Sequence, residues 1–530
     1  MQGSWSGLIG IDLGTTYSCM SHLTREGVPT TIPNREGDLV TPSVILFEED
    51  GHVVVGREAK RTECVLPDRT AVCVKRDMGE PFYHRLVAGQ QMRPEVLSAM
   101  ILKRLRIDAE TRLGRVEQAV ITVPAYFDDN RRRATQDAGR LAGLSVLDIV
   151  NEPTAAALAY AFESHLRQHG DARHFADQFA RRPIHALVYD LGGGTFDVSV
   201  VRMQPDLFET LATDGDVRLG GRDWDQQLVD YAADQFRLEY GTDPRDDSES
   251  LASLFDVAEK AKHSLSVRES TRMLVMHDGR RFPLEITRAQ FEQLTQMLLV
   301  RTETTCDLVI EAAGLTWADL DRVLLVGGMT RCTQVRNMLR RLTGKDPDVS
   351  LSADEVVSHG AVIHGGILLA KGMTAPQLAA NEQMRPWTRV QMIDVNAHSL
   401  GVAVRNAAGG YSNSVVIPKN TRLPVSRLRT FRTRVASQKQ VRVRVLEGEA
   451  FDADACVQIG EVVLSHLPDQ LPEHSPIDVE CHYGTDGRIS VTGRDPVSGT
   501  AAETTIERQT FIEDAEMSRA AEMIAKLEIG

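Results

Sequence analysis

The chain has 530 residues, 42% of them hydrophobic, and a formal net charge of −14, which implies several domains with substantial cores. The acidic balance, without a long block of like charge, excludes broad electrostatic binding to nucleic acid and makes any phosphate binding local. Seven scattered cysteines, an odd number without CxxC spacing, argue against a zinc site or a disulfide framework and point to reduced thiols.

The first residues, Met1 to Gly7, show no basic signal-like region, and no stretch approaches membrane-spanning length, so a soluble, cytoplasmic protein is expected. An apolar strand then ends in Ile11-Asp12-Leu13-Gly14-Thr15-Thr16-Tyr17-Ser18-Cys19, and Val188-Tyr189-Asp190-Leu191-Gly192-Gly193-Gly194-Thr195-Phe196-Asp197 repeats that design. In each copy glycines let backbone N–H groups approach phosphates, and an aspartate is placed to hold a hydrated cation. One copy alone also describes an ordinary hairpin. A third run, Val323-Leu324-Leu325-Val326-Gly327-Gly328, completes what a cleft gripping a nucleotide from two sides needs. Helical and strand patterns alternate through roughly the first three-quarters of the chain, favouring α/β layers with parallel sheets. Between the repeats, residues 167–182 are polar and read as a surface helix or loop. After residue 394 the pattern changes to short alternating strands such as Val441-Arg442-Val443-Arg444-Val445, which read as a β-sandwich. The last 22 residues suit one short amphipathic helix.

The duplicated plan resembles the actin-like ATPases. Within them, Asn151-Glu152-Pro153-Thr154-Ala155-Ala156-Ala157-Leu158-Ala159-Tyr160, Val123-Pro124-Ala125-Tyr126-Phe127, Glu259-Lys260-Ala261-Lys262, Ile417-Pro418-Lys419-Asn420-Thr421 and Glu447-Gly448-Glu449 resemble the DnaK-type heat-shock 70 kDa chaperones, from about Leu8 to Arg508. The short tail is similar to that of the lidless, HscC-like branch. The resemblance implies an actin-like nucleotide-binding domain over 1–386 (lobe I about 8–166, lobe II about 183–370), a linker at 387–396, a substrate-binding β-sandwich at 397–508 and a terminal helix at 509–530.

It also implies roles. Asp12 and Asp190 would hold Mg²⁺ largely through water, Asp197 and Glu152 would order that water, and Lys75 would lie beside the terminal phosphate and the attacking water. Gly14, Thr15, Thr16 and Tyr17 would receive phosphates from one side, and Gly192, Gly193, Gly194 and Thr195 from the other. Gly221, Glu259, Lys262, His263, Ser266, Gly327, Gly328, Arg331 and Asp354 would form the adenosine pocket of ATP or ADP, with room for K⁺ beside Mg²⁺. His263 and Met329 depart from the family pattern there, leaving Arg331 to stack on the base. Cys19 and Cys73 are expected near this cleft as buried structural thiols. Pro124, Arg132 and Asp394 would form the interdomain switch, and Gln391 would interrupt the apolar linker and weaken coupling.

In the sandwich, Val402, Phe431 and Val441 would receive an extended client segment, with Arg405 and Arg434 arching over it. Asn151 and Thr154 match positions touched by J-domain co-chaperones, but Asp148 replaces a usual Arg, so a generic co-chaperone should be repelled and a dedicated partner is expected. A trimmed hairpin at 267–286 implies a non-standard exchange factor. The leading expectation is an ATP-hydrolysing, peptide-binding chaperone. The competing one is a nucleotide-sensing scaffold for a single partner; a metabolite kinase is disfavoured because Lys75 and the peptide module suit no small acceptor.

Overall fold

The computed structural model describes residues 7–169, 182–406, 409–484, 488–506 and 514–530. Most of the insertion at 167–182 lies outside the described residues, as does the start of the expected terminal helix. Lobe I contains β1 (Leu8–Asp12), β2 (Tyr17–Leu23), β3 (Pro29–Thr31), β4 (Val40–Pro42), β5 (Ile45–Phe47), β6 (Val53–Val55), β7 (Thr70–Ala71), β8 (Gln118–Val123) and β9 (Ser145–Asn151). Its main sheet runs β3-β2-β1-β8-β9 with β4 beside β2, and β6-β5-β7 form a small second sheet. Lobe II contains β10 (Ile184–Leu191), β11 (Phe196–Gln204), β12 (Leu207–Asp216), β13 (Ser270–His277), β14 (Arg280–Thr287) and β15 (Arg322–Val326).

The repeated motif marks a repeated topology. β1 pairs antiparallel with β2 and parallel with β8, and β10 pairs antiparallel with β11 and parallel with β15. The six residues Ala186 to Leu191 are all buried, as expected for a strand covered on both faces. β13 and β14 form a separate hairpin. Its turn residues, Asp278 and Gly279, both have positive φ, which suits a tight two-residue turn.

One helix crosses the expected lobe boundary. Val356–Gly372 lies mostly in the span assigned to lobe II, yet it packs on β1 and on the helix Glu152–His169 of lobe I. Two glycines permit this. A Cβ on Gly10 would stand 2.3 Å from Val362 N, and one on Gly360 would stand 1.9 Å from Ala155 O, so a larger residue would push the helix off β1 in the first case and off helix Glu152–His169 in the second.

The linker forms β16 (Gln391–Ile393), which extends the lobe II sheet as β15-β10-β11-β12-β16. Gln391 does not interrupt it: the side chain is exposed and the backbone N–H donates to Asp206 O at 2.7 Å. Just before it, Trp387 is buried edge-on against Phe162 of helix Glu152–His169.

Eight strands follow: β17 (Leu400–Arg405), β18 (Tyr411–Ile417), β19 (Val425–Arg432), β20 (Val441–Glu447), β21 (Val457–Leu464), β22 (Pro476–Tyr483), β23 (Ile489–Arg494) and β24 (Ala501–Ile506). They make two four-stranded sheets, β18-β17-β20-β21 and β19-β22-β23-β24, around a core that includes Leu400, Val443, Val445, Val479 and Val491.

The terminal helix Asp514–Lys526 returns to lobe I. Glu516 accepts two hydrogen bonds from Arg93 at 2.7 and 3.0 Å, and Lys103 Nζ caps the carbonyls of Ile524 and Leu527 at 2.5 and 2.8 Å. Ile524 is fully buried in the lobe I core. Ile529 bridges Val53 of β6, and Gly530 N–H donates to Val53 O at 2.9 Å. Among the described residues no helix is long and apolar enough to cross a membrane.

Candidate functional site

The turns after β1 and β10 face each other across the floor of a cleft between the lobes. A Cβ on Gly193 would lie 2.4 Å from the Thr16 side chain, and one on Gly194 would lie 2.3 Å from that of Thr15. Only glycine allows this approach, and it leaves backbone N–H groups free to meet an anion. Gly14 is fixed similarly, since its Cβ would fall 1.9 Å from Tyr17 O. Above this floor opens a cavity of about 730 Å³.

Five charged side chains converge at its base. Lys75 Nζ donates to Glu152 Oε1 at 2.6 Å, both only 6% exposed. Asp12 accepts from Thr122 Oγ1 at 3.2 Å, and Asp197 from the backbone N–H of Tyr126 at 2.9 Å. Burial, reinforced by the charge of Glu152, pushes the Asp12 carboxyl up to about 7. The same two causes push Asp197 up to about 8 against the Tyr126 N–H, and burial with Glu152 and Asp197 raises Asp190 well above the carboxylate range. Burial works against the Lys75 ammonium, but Glu152 and Asp12 outweigh it and hold its pKa above the usual value. Four carboxylates against one ammonium make a site short of positive charge, the donor set that an oxygen-seeking divalent cation fits.

Asp12, Gly14, Thr15, Thr16, Tyr17, Lys75, Glu152, Asp190, Gly192, Gly193 and Thr195 all line the cavity. So do Gly221, Glu259, Lys262, His263, Ser266, Gly327, Gly328, Arg331 and Asp354 on the opposite side. Of the residues expected here, Gly194 and Asp197 stand behind the lining. Lys262 is held by Asp225 at 2.8 Å and by Gly221 O at 3.1 Å, and Arg331 is clamped on Asp354. Burial and neighbouring Lys262 lower the pKa of His263, which therefore favours its neutral form. Met329 is buried beside Gly221. Cys19 and Cys73 line the cavity with Cys332. Burial raises all three thiols, Cys19 to about 12, so they are poor thiolates.

Sequence reasoning missed the contacts that span the cleft. Lys60 Nζ reaches Glu259 at 2.7 Å and Tyr17 OH at 3.2 Å. Arg76 grips Asp223 at 2.5 Å and donates to Gly194 O at 2.9 Å. These partners are 147 and 199 residues apart, so no local pattern announces them.

A second cluster lies where the sandwich meets the lobes. Asp394 Oδ1 accepts from Thr154 at 2.9 Å and from Thr210 at 2.7 Å, tying the linker to both lobes. Arg132 donates to Asn151 and, at 3.3 Å, to Phe127 O. Asn151 and Thr154, expected as co-chaperone contacts, are buried beneath this junction in this conformation. Tyr126, two residues beyond Pro124, sets its ring tilted against that of His398 at 4.4 Å and accepts from His398 Nε2 through its carbonyl at 3.1 Å. Lys419 lies over the same ring and pairs with Asp214 at 2.8 Å, while Asn420 accepts from Thr213 N–H. Asp148 pairs with His364 at 2.7 Å.

In the sandwich, Val402 is buried, and Phe431 and Val441 pack half-buried on the same core. Arg405 and Arg434 are exposed, Arg405 over the ring of Tyr411 at 5.9 Å. A scan of protein-family models matches the chain to the family described as Hsp70 protein, over residues 8–89 and 84–528.

Proposed function

The chain belongs to the Hsp70 family, a family of ATP-dependent chaperones, and from that premise we propose that it hydrolyses ATP slowly and thereby alternates its β-sandwich between weak and tight states for extended apolar client segments. The observation that supports this most is the Lys75–Glu152 pair beside the Asp12, Asp190 and Asp197 carboxylates at the closed floor of the cleft.

In this reading Asp12 and Asp190 would hold Mg²⁺ through its water shell, and their burial beside Glu152 fits that demand. The chemistry such an ion would supply there is neutralisation of charge on the transferring phosphate. The glycine turns and Thr15, Thr16 and Thr195 present N–H and hydroxyl donors to the phosphates. Lys75, fixed by Glu152, keeps its ammonium aimed into the cavity beside the terminal phosphate and the attacking water, while Asp197, anchored by Tyr126 N–H, and Glu152 order the surrounding water. Glu259, Lys262, His263, Ser266, Gly327, Gly328, Arg331 and Asp354 hold the nucleoside. Asp394, Pro124 and Arg132 pass the state of the cleft to the sandwich, with Val402, Phe431 and Val441 on the client side. A J-domain partner suited to this chain meets Asp148 with a basic residue, and its site becomes accessible when the linker leaves Thr154.

The test is Mg-dependent ATP hydrolysis, with and without a pool of apolar peptides. Lys75→Ala is expected to lower kcat by about 10²- to 10³-fold, the scale for removing one group aimed at developing charge. Stimulation of the wild type by peptide supports coupling, whereas Lys75-dependent hydrolysis that no peptide alters would sink it.

A further inference from the structure

Strand β19 departs from the alternation that shapes the rest of the sandwich. Val425, Arg427, Arg429 and Phe431 pair with Tyr483, Cys481, Val479 and Ile477 of β22, and all four partners are buried in the core. Directly opposed residues share a face of the sheet. Arg427 and Arg429 therefore occupy the face that the core claims, yet both are exposed. The core stops short of them because β19 is the outer strand of its sheet and β18 the outer strand of the other. Arg429 spans the gap, donating to Val415 O of β18 at 2.6 Å. On the opposing sheet Val402 and Val404 pair with Ser414 and Ser412 of β18, so that rim is polar too.

The stretch of chain that includes β19 is strongly cationic. Residues 425–444 contain seven Arg or Lys and no Asp or Glu, in a chain of net charge −14. Arg442 and Arg444 each find a carboxylate at 3.5 Å, and Lys439 pairs with Asp469. Arg405, Arg427 and Arg434 have no carboxylate partner among the described residues. Leu428 and Val435, interleaved with these cations, are 63% and 53% exposed. An outer strand also presents unpaired backbone groups to an incoming extended chain.

We propose that the open edge between β18 and β19 takes an extended polypeptide that carries Asp or Glu beside apolar side chains. This rests on the peptide-binding reading above and names the client class. Arginine forks bind carboxylates in pairs, and the exposed Leu428 and Val435 suit the apolar neighbours. A polynucleotide fits less well, since the net charge of the whole molecule repels a polyanion. The competing account is that inward charges merely keep an outer strand from pairing with its copies.

The test is fluorescence anisotropy on the full chain, using a dye-labelled peptide with a leucine-rich centre flanked by glutamates and its lysine-flanked counterpart. The glutamate peptide should bind about tenfold tighter at low salt, and the gap should close in 0.5 M salt. Arg427→Gln with Arg429→Gln should narrow it, with the melting temperature as the check on folding. Equal affinities would overturn the acidic preference and leave peptide binding standing, while failure of both peptides to bind would overturn both readings. Displacement of the glutamate peptide by single-stranded RNA of equal charge would overturn the polypeptide occupant.

Discussion

Lys60 illustrates how a residue without a motif governs a site full of motifs. Its ammonium ties helix Arg57–Thr62 of lobe I to Glu259 of lobe II over the mouth of the cavity. The pair is partly buried, 25% and 19% exposed, so it should contribute on the order of 1 kcal/mol to closure. Lys60→Ala is predicted to speed ADP release about three- to tenfold, read by stopped-flow with a fluorescent ADP analogue; an unchanged rate would show that the pair does not gate the cleft. The phosphate turns were legible because Asp, Gly and Thr at fixed offsets state their chemistry within ten residues. Lys60 and Arg76 were not, because their partners Glu259 and Asp223 are brought near only by the closure of two lobes. Arg405 and Arg434 were legible as cations arching over the client segment, whereas Arg427 and Arg429 required the register of β19 against β22 to be known.

Among the elements, β16 shows the limit of reading polarity from sequence. A glutamine in an apolar run looks disruptive, yet an outer strand needs only one covered side, and Gln391 faces outward. The strand is held by its ladder to β12 and by the two hydroxyls that reach Asp394. Removing that carboxylate leaves Thr154 and Thr210 buried without their acceptor, costing about 1–3 kcal/mol. Asp394→Ala is predicted to speed backbone exchange at 391–393 and to abolish peptide stimulation of hydrolysis while basal turnover persists. Retained stimulation would remove Asp394 from the coupling path. The terminal helix was legible as amphipathic, but its destination was not, because nothing in its own pattern names Arg93, Lys103 or Val53 as its seat.

At the scale of the molecule, the sandwich docks on the lobes through titratable groups. Burial disfavours the charge on His398, but a hydrogen bond with Glu449 and the charge of Glu447 raise its pKa above the usual value. Glu449, despite burial, is held down at about 2 by His398 and Ser399 N–H. Burial pushes Glu447 up to about 7, with His398 and Arg132 opposing and Asp128 adding to the rise. What docking adds to protonated His398 is the Tyr126 carbonyl as acceptor, a contribution complete below about 6.5 and lost as pH rises through its raised value. Glu447 acts in the same direction, since its ionisation between about 4.5 and 7 charges a buried group. Docking should therefore weaken a few-fold from pH 6 to pH 8, followed by energy transfer between dyes on lobe II and the sandwich, and His398→Asn should flatten the profile. A wild-type signal constant over that range would refute the assignment.

The sandwich is also suspended at two points. Its leading end is stitched to lobe II through β12 and β16, and the segment after its last strand is seated on lobe I through Arg93, Lys103 and Val53. The lobes thus act as the two arms of a pair of tongs with the sandwich slung between them. Rotation of one arm against the other would change the span between these anchors, and the module would meet the nucleotide cleft as tension along its own chain as well as through the surface it touches.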